Sequence, residues 1–556
     1  MSKTAHLFTV FLFVSCWSVA VEVQSQDLDL RADWLARYGG NVPLLFSATC
    51  GDAPVAEVLK NAAFSSDAQR RSWRDAVSGL CFEVALDVHE TLPAVEWVLT
   101  VQNAASADSP VLSGIEPLDI VLPVTGGDPV LRYAKGGLCC IEDFRPMTRI
   151  LNKGTLAHIE TDGGRSSSTF LPFFNLELEP GKGIIVAIGW SGQWAANFQR
   201  GEDGSLRVRC GMAQTHLKLL PGETIRTPRV ALLFYTGDWV RGQNLFRKYL
   251  LDAHRPHPGN VPLEPVALNG NWGAVSVADH IANARAIAER NLPVDYYWID
   301  AEWFGNDVWF KSVGDWTPKA EFYPNGFKPL ADALHESGGK LLLWFEPERV
   351  CEGTAWYTDH APWLLSVPKE KRHYNWGTSQ AEPEWPAWES ARNQIRENDR
   401  LFNLGDPEAR AFLTDFISGD IEAFGLDCFR HDANIAPLEF WRCADAPDRQ
   451  GMTEIRWIEG LYAFWDALLE RHPNLIIDNC ASGGRRIDLE SLSRATPFWR
   501  TDFPAGATVK QCHTYGISFW APLNGTGNVN AAKSSPYEVR STWSGSMEFE
   551  LFGPGF

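Results

Sequence analysis

Carboxylates recur where short apolar runs give way to polar residues. Asp300 and Glu302 follow 295–299, Glu346 and Glu348 follow 340–345, Asp432 follows 424–429, Asp478 follows 475–477 and Asp502 follows 497–499. Two such groups can cleave an acetal. In a retaining glycosidase they stand roughly 5 Å apart, one attacking the anomeric carbon and the other protonating the leaving oxygen; an inverting pair stands roughly 6.5–9.5 Å apart to admit water. Asp432 is the nucleophile candidate, because Arg430 and Asn434 flank it with the same side parity and a guanidinium keeps a carboxylate ionised. Asp502 is the acid candidate: Trp499 and Phe503-Pro504 are expected to desolvate it partly and raise its pKa. The bland alternatives stay open here. The pair could share Arg500 without doing chemistry, Asp478 could serve a structural hydrogen bond, and His431 could orient a hydroxyl or pack. Asp406, directly before Pro407-Glu408, reads as a helix cap.

Other residues of the same tips suit a neutral ligand with many hydroxyls. Trp272, Trp303, Trp344 and Trp499 are expected on one face, where flat rings can stack on sugars, and Gly483-Gly484 would let backbone approach a ligand closely. No serine elbow, no cysteine nucleophile beside a histidine and no phosphate cradle is present, and no Cys or His spacing suggests a zinc site, so no metal is expected.

Positioning these groups requires a particular scaffold. From 265 onward, strand-like runs (265–269, 295–300, 340–345, 400–404, 424–429, 475–478, 497–499 and 517–520) alternate with helical ones (278–290, 326–336, 407–418 and 453–471). Eight strands alternating with helices predict a (β/α)8 TIM barrel, an α/β fold whose strand C-termini open onto the active-site face. A Rossmann sheet shares this rhythm, but no Gly-rich turn follows the first strand. The stretch 26–250 reads as short alternating strands with Gly, Asn and Asp turns, the pattern of a large antiparallel β-sandwich. The expected organisation is therefore a signal peptide (1–25), a sandwich (26–250), a linker (251–264) and a catalytic barrel (265–556). Lys3, the apolar run 7–21 and the small residues near 23–25 carry the export reading, which places the protein in the periplasm or outside the cell.

Composition narrows the partners. The 556 residues are 45% hydrophobic and 21% charged with a net charge of −19, so a phosphate backbone would be repelled and no nucleic acid is expected. No other apolar run is long enough to span a membrane. The 11 cysteines are scattered, leaving room for one or two bridges but no disulfide framework. A small oligosaccharide or glycoside is the expected partner, and homo-oligomerisation stays open.

Five blocks in order then carry a resemblance: Trp303-Phe304-Gly305, Val313-Gly314-Asp315-Trp316, Phe322-Tyr323-Pro324-Asn325-Gly326, Trp344-Phe345-Glu346-Pro347-Glu348 and Cys480-Ala481-Ser482-Gly483-Gly484-Arg485. From about 265 to 550 the chain resembles glycoside hydrolase family 36, the α-galactosidase family. The resemblance implies exo-acting cleavage with retention, through a covalent glycosyl-enzyme intermediate and with no cofactor. The family's Lys-Trp-Asp-x-Asn motif aligns with Arg430-His431-Asp432-Ala433-Asn434 and implies Asp432 as nucleophile; its Trp-x-Ser-Asp motif aligns with Trp499-Arg500-Thr501-Asp502 and implies Asp502 as acid/base. By the same resemblance Trp272, Asp300, Trp344 and either Arg396 or Arg400 line the sugar pocket, and Cys480 and Ser482 touch the ring near its second carbon. Two departures bear on specificity. The family's Asp-Asp-Gly-Trp-Phe reads Asp300-Ala301-Glu302-Trp303-Phe304, which removes one hydroxyl-gripping carboxylate, and the motif lysine is Arg430. Another α-linked sugar (an N-acetylated or 6-deoxy sugar, or a pentose) and transglycosylation are thus alternatives. A non-catalytic carbohydrate-binding protein would keep the aromatic floor but would need neither Asp432 nor Asp502.

Overall fold

The computed structural model describes residues 21–368, 398–503, 506–530 and 533–551. The expected leader up to residue 20, and Arg396, lie outside them. Ser25–Tyr38 forms a helix packed on strand Arg229–Thr236. Antiparallel strands then follow. The largest sheet contains Phe173–Glu179, Lys182–Gly189, Arg229–Thr236, Ala94–Asn103 and Leu80–Val88 as consecutive neighbours, and a second sheet runs Leu156–Glu160, Trp194–Arg200, Leu206–Met212, Leu118–Leu122. Alternation decides which face is buried: in Leu80–Val88, Phe82, Val84 and Leu86 point into the core, while Ala85 and Asp87 are exposed. Trp97, Trp190 and Trp194 fill that core.

The segment read as a linker is partly built into this region. Asp238 caps a helix, Trp239–Ala253, whose Leu245, Phe246, Tyr249 and Leu250 are buried, so the helix runs three residues past the expected boundary. Its last turn leads to a buried His254, which meets Glu96 at 3.0 Å and the Tyr249 hydroxyl at 2.8 Å. Further on, Arg449–Gln450 pairs with His216–Leu217, adding a distant piece of chain to an antiparallel sheet.

The second region is a curled parallel sheet of β1 (Ala267–Asn271), β2 (Tyr296–Ile299), β3 (Lys340–Phe345), β4 (Cys428–His431), β5 (Ile476–Asn479), β6 (Gly525–Asn530) and β7 (Ser546–Glu550), in the order β5-β4-β3-β2-β1-β7-β6. Every residue of β2, β4 and β5 is buried, as expected for strands covered on both faces. Helices α1 (Val277–Glu289) and α2 (Lys328–His335) follow β1 and β2, while α3 (Pro407–Phe424) and α4 (Met452–Arg471) precede β4 and β5. Asp406 does cap α3, accepting from the Glu408 and Ala409 amides, and Gly425 ends it at φ +72°. Residues 496–498 lie between the two sheet edges: the Thr496 amide donates to Ile477 O, and Gly525 donates to Pro497 O.

Three expected strands are placed differently. Arg400–Phe402 sits in a separate antiparallel sheet between Arg349–Val350 and Leu364–Leu365, and β3 pairs directly with β4. The run 517–520 instead closes helix α5 (Gly506–Ile517), a short apolar stretch whose period cannot be told from a strand's. Residues 497–499 contribute bridging hydrogen bonds without forming a strand. β6 and β7 supply sheet positions that sequence did not reveal; 525–530 is Gly-, Thr- and Asn-containing, and 546–550 alternates only Met547 and Phe549 with polar residues. Among the described residues all ten cysteines are free, and no helix is long and apolar enough to cross a membrane.

Candidate active site

The site forms where β2, β4 and β5 end. The Asp432 amide donates to Phe345 O at 2.8 Å, so the residue after β4 is pinned to the end of β3. Its carboxylate, 7% exposed, receives a donor on every side. Oδ1 accepts from the amides of Ala433 (2.8 Å) and Ser482 (3.0 Å); Oδ2 accepts from Trp344 Nε1 (3.1 Å) and Asn434 Nδ2 (2.7 Å). Burial opposes ionisation, but Arg430 and the hydrogen bonds from Ser482, Cys480 and Asn434 outweigh it and hold this carboxyl below the usual range. Trp344, itself buried, thus grips the carboxylate with its indole N–H.

Arg430 is the hub beneath. Fully buried, it pairs with Asp478, stands 3.6 Å from Asp300 and stacks over Trp298 at 4.4 Å. Asp300 is pushed up to about 6 by burial, with Asp432 and Asp502 adding to the effect and Arg430 opposing it. Asp478 takes the structural role as well, accepting the Phe498 amide at 2.9 Å. His431 faces away from the site. Its Nδ1 accepts from Trp465 Nε1 at 2.8 Å and its Nε2 lies 2.8 Å from Glu348 Oε1; because an indole only donates, Nδ1 carries no proton, and burial holds the ring below the usual imidazole pKa.

Asp502 is exposed, accepting from Trp499 Nε1 at 2.8 Å, so the partial desolvation expected from Trp499 and Phe503 is not provided by the protein. Arg500 turns away, bonding Asn524, Thr514 and the Lys510 carbonyl, and is not shared by the aspartates. The 480–485 turn brings the two carboxylates to one place. Ser482, at φ +54°, gives its amide to Asp432 and its hydroxyl to Asn434 (2.8 Å). Gly483, at φ +84°, lies so close to the next tip that a Cβ there would stand 2.7 Å from Thr501 Cα and 3.0 Å from the Asp502 nitrogen. Cys480, buried below, accepts the Gly483 amide at 3.2 Å, and both aspartates act on its thiol, which burial raises.

Other expected site residues go elsewhere. Trp272 is 47% exposed, consistent with a stacking surface. Trp303 is fully buried among Phe304, Phe327, Phe345 and Phe424 and donates to Trp344 O, so it is a core ring and not a sugar platform. Glu302 stands at φ +75°, the conformation glycine favours, and its carboxylate is taken by Lys319 Nζ (2.9 Å) and the Trp309 amide (3.1 Å). Arg400 donates to the carbonyls of Asn398 and Asp399 and lies over Tyr357, away from this cluster.

Two further groups had no role assigned from sequence: Glu346, already among the strand-tip carboxylates, and the 136–145 loop. Glu346 Oε1 accepts the Asn434 amide at 2.7 Å while pairing with the buried Arg349. From the antiparallel region, the 136–145 loop reaches the 480–485 and 501–503 segments; nothing local in its sequence announces that contact. Asp87, His89 and Glu96 are the one group with metal-like spacing among the described residues, but Glu96 is already engaged by Arg229, His254 and Tyr249.

A curled parallel sheet with carboxylates gathered at its strand ends, joined to a large antiparallel region, is the arrangement of the α-galactosidase-like proteins of glycoside hydrolase family 36. The chain belongs to the Melibiase family, whose sequence profile matches residues 227–548. It is 25% identical over 386 residues to the α-galactosidase Mel36A of Lactobacillus acidophilus, an alignment covering 67% of this chain and 50% of that one. To the α-galactosidase AgaA of Geobacillus stearothermophilus it is 26% identical over 380 residues, covering 66% and 49%. The chain thus spans about half the length of these relatives. The crystal structure of the Lactobacillus brevis α-galactosidase shares the fold with a TM-score of 0.71 at 21% identity, covering 92% of this chain and 68% of that one. A variant of AgaA in complex with stachyose matches at 0.72 and 20%, covering 92% and 70%.

Proposed function

We propose that this chain is a retaining, exo-acting α-glycoside hydrolase that releases a terminal α-galactosyl unit through a covalent glycosyl-enzyme intermediate. The observation that carries the reading is the opposed environment of two carboxylates joined by one turn: Asp432 is held ionised by four donors, while Asp502 stands open beside Trp499. Asp432 attacks the anomeric carbon as the glycosidic bond breaks, and Asp502 gives its proton to the leaving oxygen. Asp502 then takes a proton from water, which attacks the same carbon from the leaving-group side and frees Asp432. A sugar seated over Trp499 would cover Asp502 and supply the desolvation an acid needs.

In this reading the curled sheet is a closed (β/α)8 barrel with 496–498 as its remaining stave, supported by their hydrogen bonds to Ile477 and Gly525. Family membership supports the substrate class, as does stachyose bound by an AgaA variant. The apolar run 7–21 supports export.

One observation favours a second reading, another α-pyranoside as substrate. With Ala301 in place of an acid and Glu302 tied to Lys319, Asp300 has no free carboxylate partner on its own tip. A panel of nitrophenyl α-glycosides decides between the two: the galactoside is expected to be cleaved fastest, and a faster rate on another sugar would transfer the assignment. Asp432→Asn is expected to lose about 10⁴-fold or more in kcat, as loss of a nucleophile does. Near-normal turnover by that variant, or a first product of inverted configuration by NMR, would remove the mechanism.

A further inference from the structure

The 136–145 loop belongs to the antiparallel region, yet it lies under both segments that carry the site. Arg485 donates to Gly137 O (2.8 Å) and to Cys139 Sγ (3.1 Å), and the Cys139 thiol donates to Ser482 O at 3.5 Å. Asp143 is the centre of the loop. It is 1% exposed, and its carboxylate accepts the amides of Leu138 (2.7 Å), Cys139 (3.1 Å) and Cys140 (3.2 Å). One further bond leaves the loop: the Thr501 hydroxyl donates to Asp143 Oδ2 at 2.7 Å. The same hydroxyl accepts the Phe503 amide at 3.2 Å, so Asp502 sits between two residues anchored on one oxygen.

Because Asp143 accepts only, it fixes the rotor of the Thr501 hydroxyl, and three loop amides fix Asp143 in turn. The Asp502 carboxylate accepts from Trp499 Nε1 at 2.8 Å, and the Thr501 hydroxyl fixes the backbone on either side of it. We propose that Asp143, from outside the parallel sheet, is a positioning residue for Asp502, acting through the Thr501 hydroxyl to hold that carboxyl at the leaving-group oxygen. The inference rests on the reading of Asp502 as acid/base.

Protonation of the leaving group matters for poor leaving groups and hardly for activated ones, a difference that a merely structural contact would not produce. Thr501→Val removes the hydroxyl while keeping the shape; Thr501→Ser restores the hydroxyl. Misplacing a general acid costs on the order of 10²-fold, so Thr501→Val is expected to lower kcat/KM about 30-fold on raffinose and less than about 3-fold on 2,4-dinitrophenyl α-galactoside. Thr501→Ser is expected to stay within about 3-fold of the parent on both. Asp143→Asn, which keeps one acceptor oxygen, is expected to show the Thr501→Val pattern in weaker form. Equal losses on the two substrates, or no loss on either, would overturn the proposal. Asp502→Ala measured alongside separates the two levels. If it lacks the leaving-group dependence, the acid/base reading and this inference fall together; if it shows the dependence and Thr501→Val does not, the positioning role alone falls.

Discussion

At the scale of single residues, the site works by setting one carboxylate against burial. Asp432 would be protonated more readily in a dry pocket, and Arg430 with its ring of donors reverses that tendency. The Asn434 amide is the donor easiest to remove without disturbing the backbone. Since it stabilises the charged form, Asn434→Ala should raise the Asp432 pKa, and the acid limb of kcat/KM should move to higher pH. A pH–rate profile checks this, and an unmoved or downward-moved limb would contradict it. Trp303 and Glu302 show the opposite lesson. Their residue types suit a sugar pocket, but the ring is enclosed by phenylalanines and the carboxylate by Lys319.

At the scale of elements, the 480–485 turn couples strand ends that would otherwise be independent. Its close approach to 501–502 requires both a positive φ and the absence of a side chain at 483. Gly483→Ala meets backbone atoms, which cannot move aside as a flexible side chain could. The variant is expected to lose about 1–3 kcal/mol of stability from the strained φ, read from denaturant unfolding. Activity should fall further than stability, because the displaced turn also carries the Ser482 amide that holds Asp432.

At the scale of the whole molecule, buried charge ties the two regions together. Glu96 lies in an antiparallel strand and meets Arg229, whose Nε is 3.0 Å from Glu490, a buried residue of the C-terminal half. Burial raises the Glu96 pKa, but His254, Arg229 and Tyr249 more than offset it and bring it down to about 2. A depressed folded pKa contributes stability that is full above the unfolded value, about 4.3, and is lost as pH falls toward 2. Glu96→Gln leaves Arg229 and His254 without this partner and should cost about 3 kcal/mol at neutral pH, as broken buried pairs do. The deficit relative to the parent should shrink between pH 4.5 and 3. A deficit unchanged with pH in unfolding experiments would show that packing, not charge, carries the Glu96 contribution.

What the sequence determined was whatever depends on a few adjacent residues. The runs 340–345 and 295–300 read as strands, Asp406 as a cap, and Asp432 with Arg430 and Asn434 as a charged strand tip, because period, capping and side parity act within a turn or a strand. The tertiary structure alone decided destinations. It placed Arg400 in a side sheet, made β6 from Gly- and Asn-rich chain, left Asp502 exposed, and carried Asp143 across 358 positions to Thr501. Side-chain type fixes what a group can bond, whereas the partner it meets is set by packing among segments far apart in the chain, which no local pattern encodes.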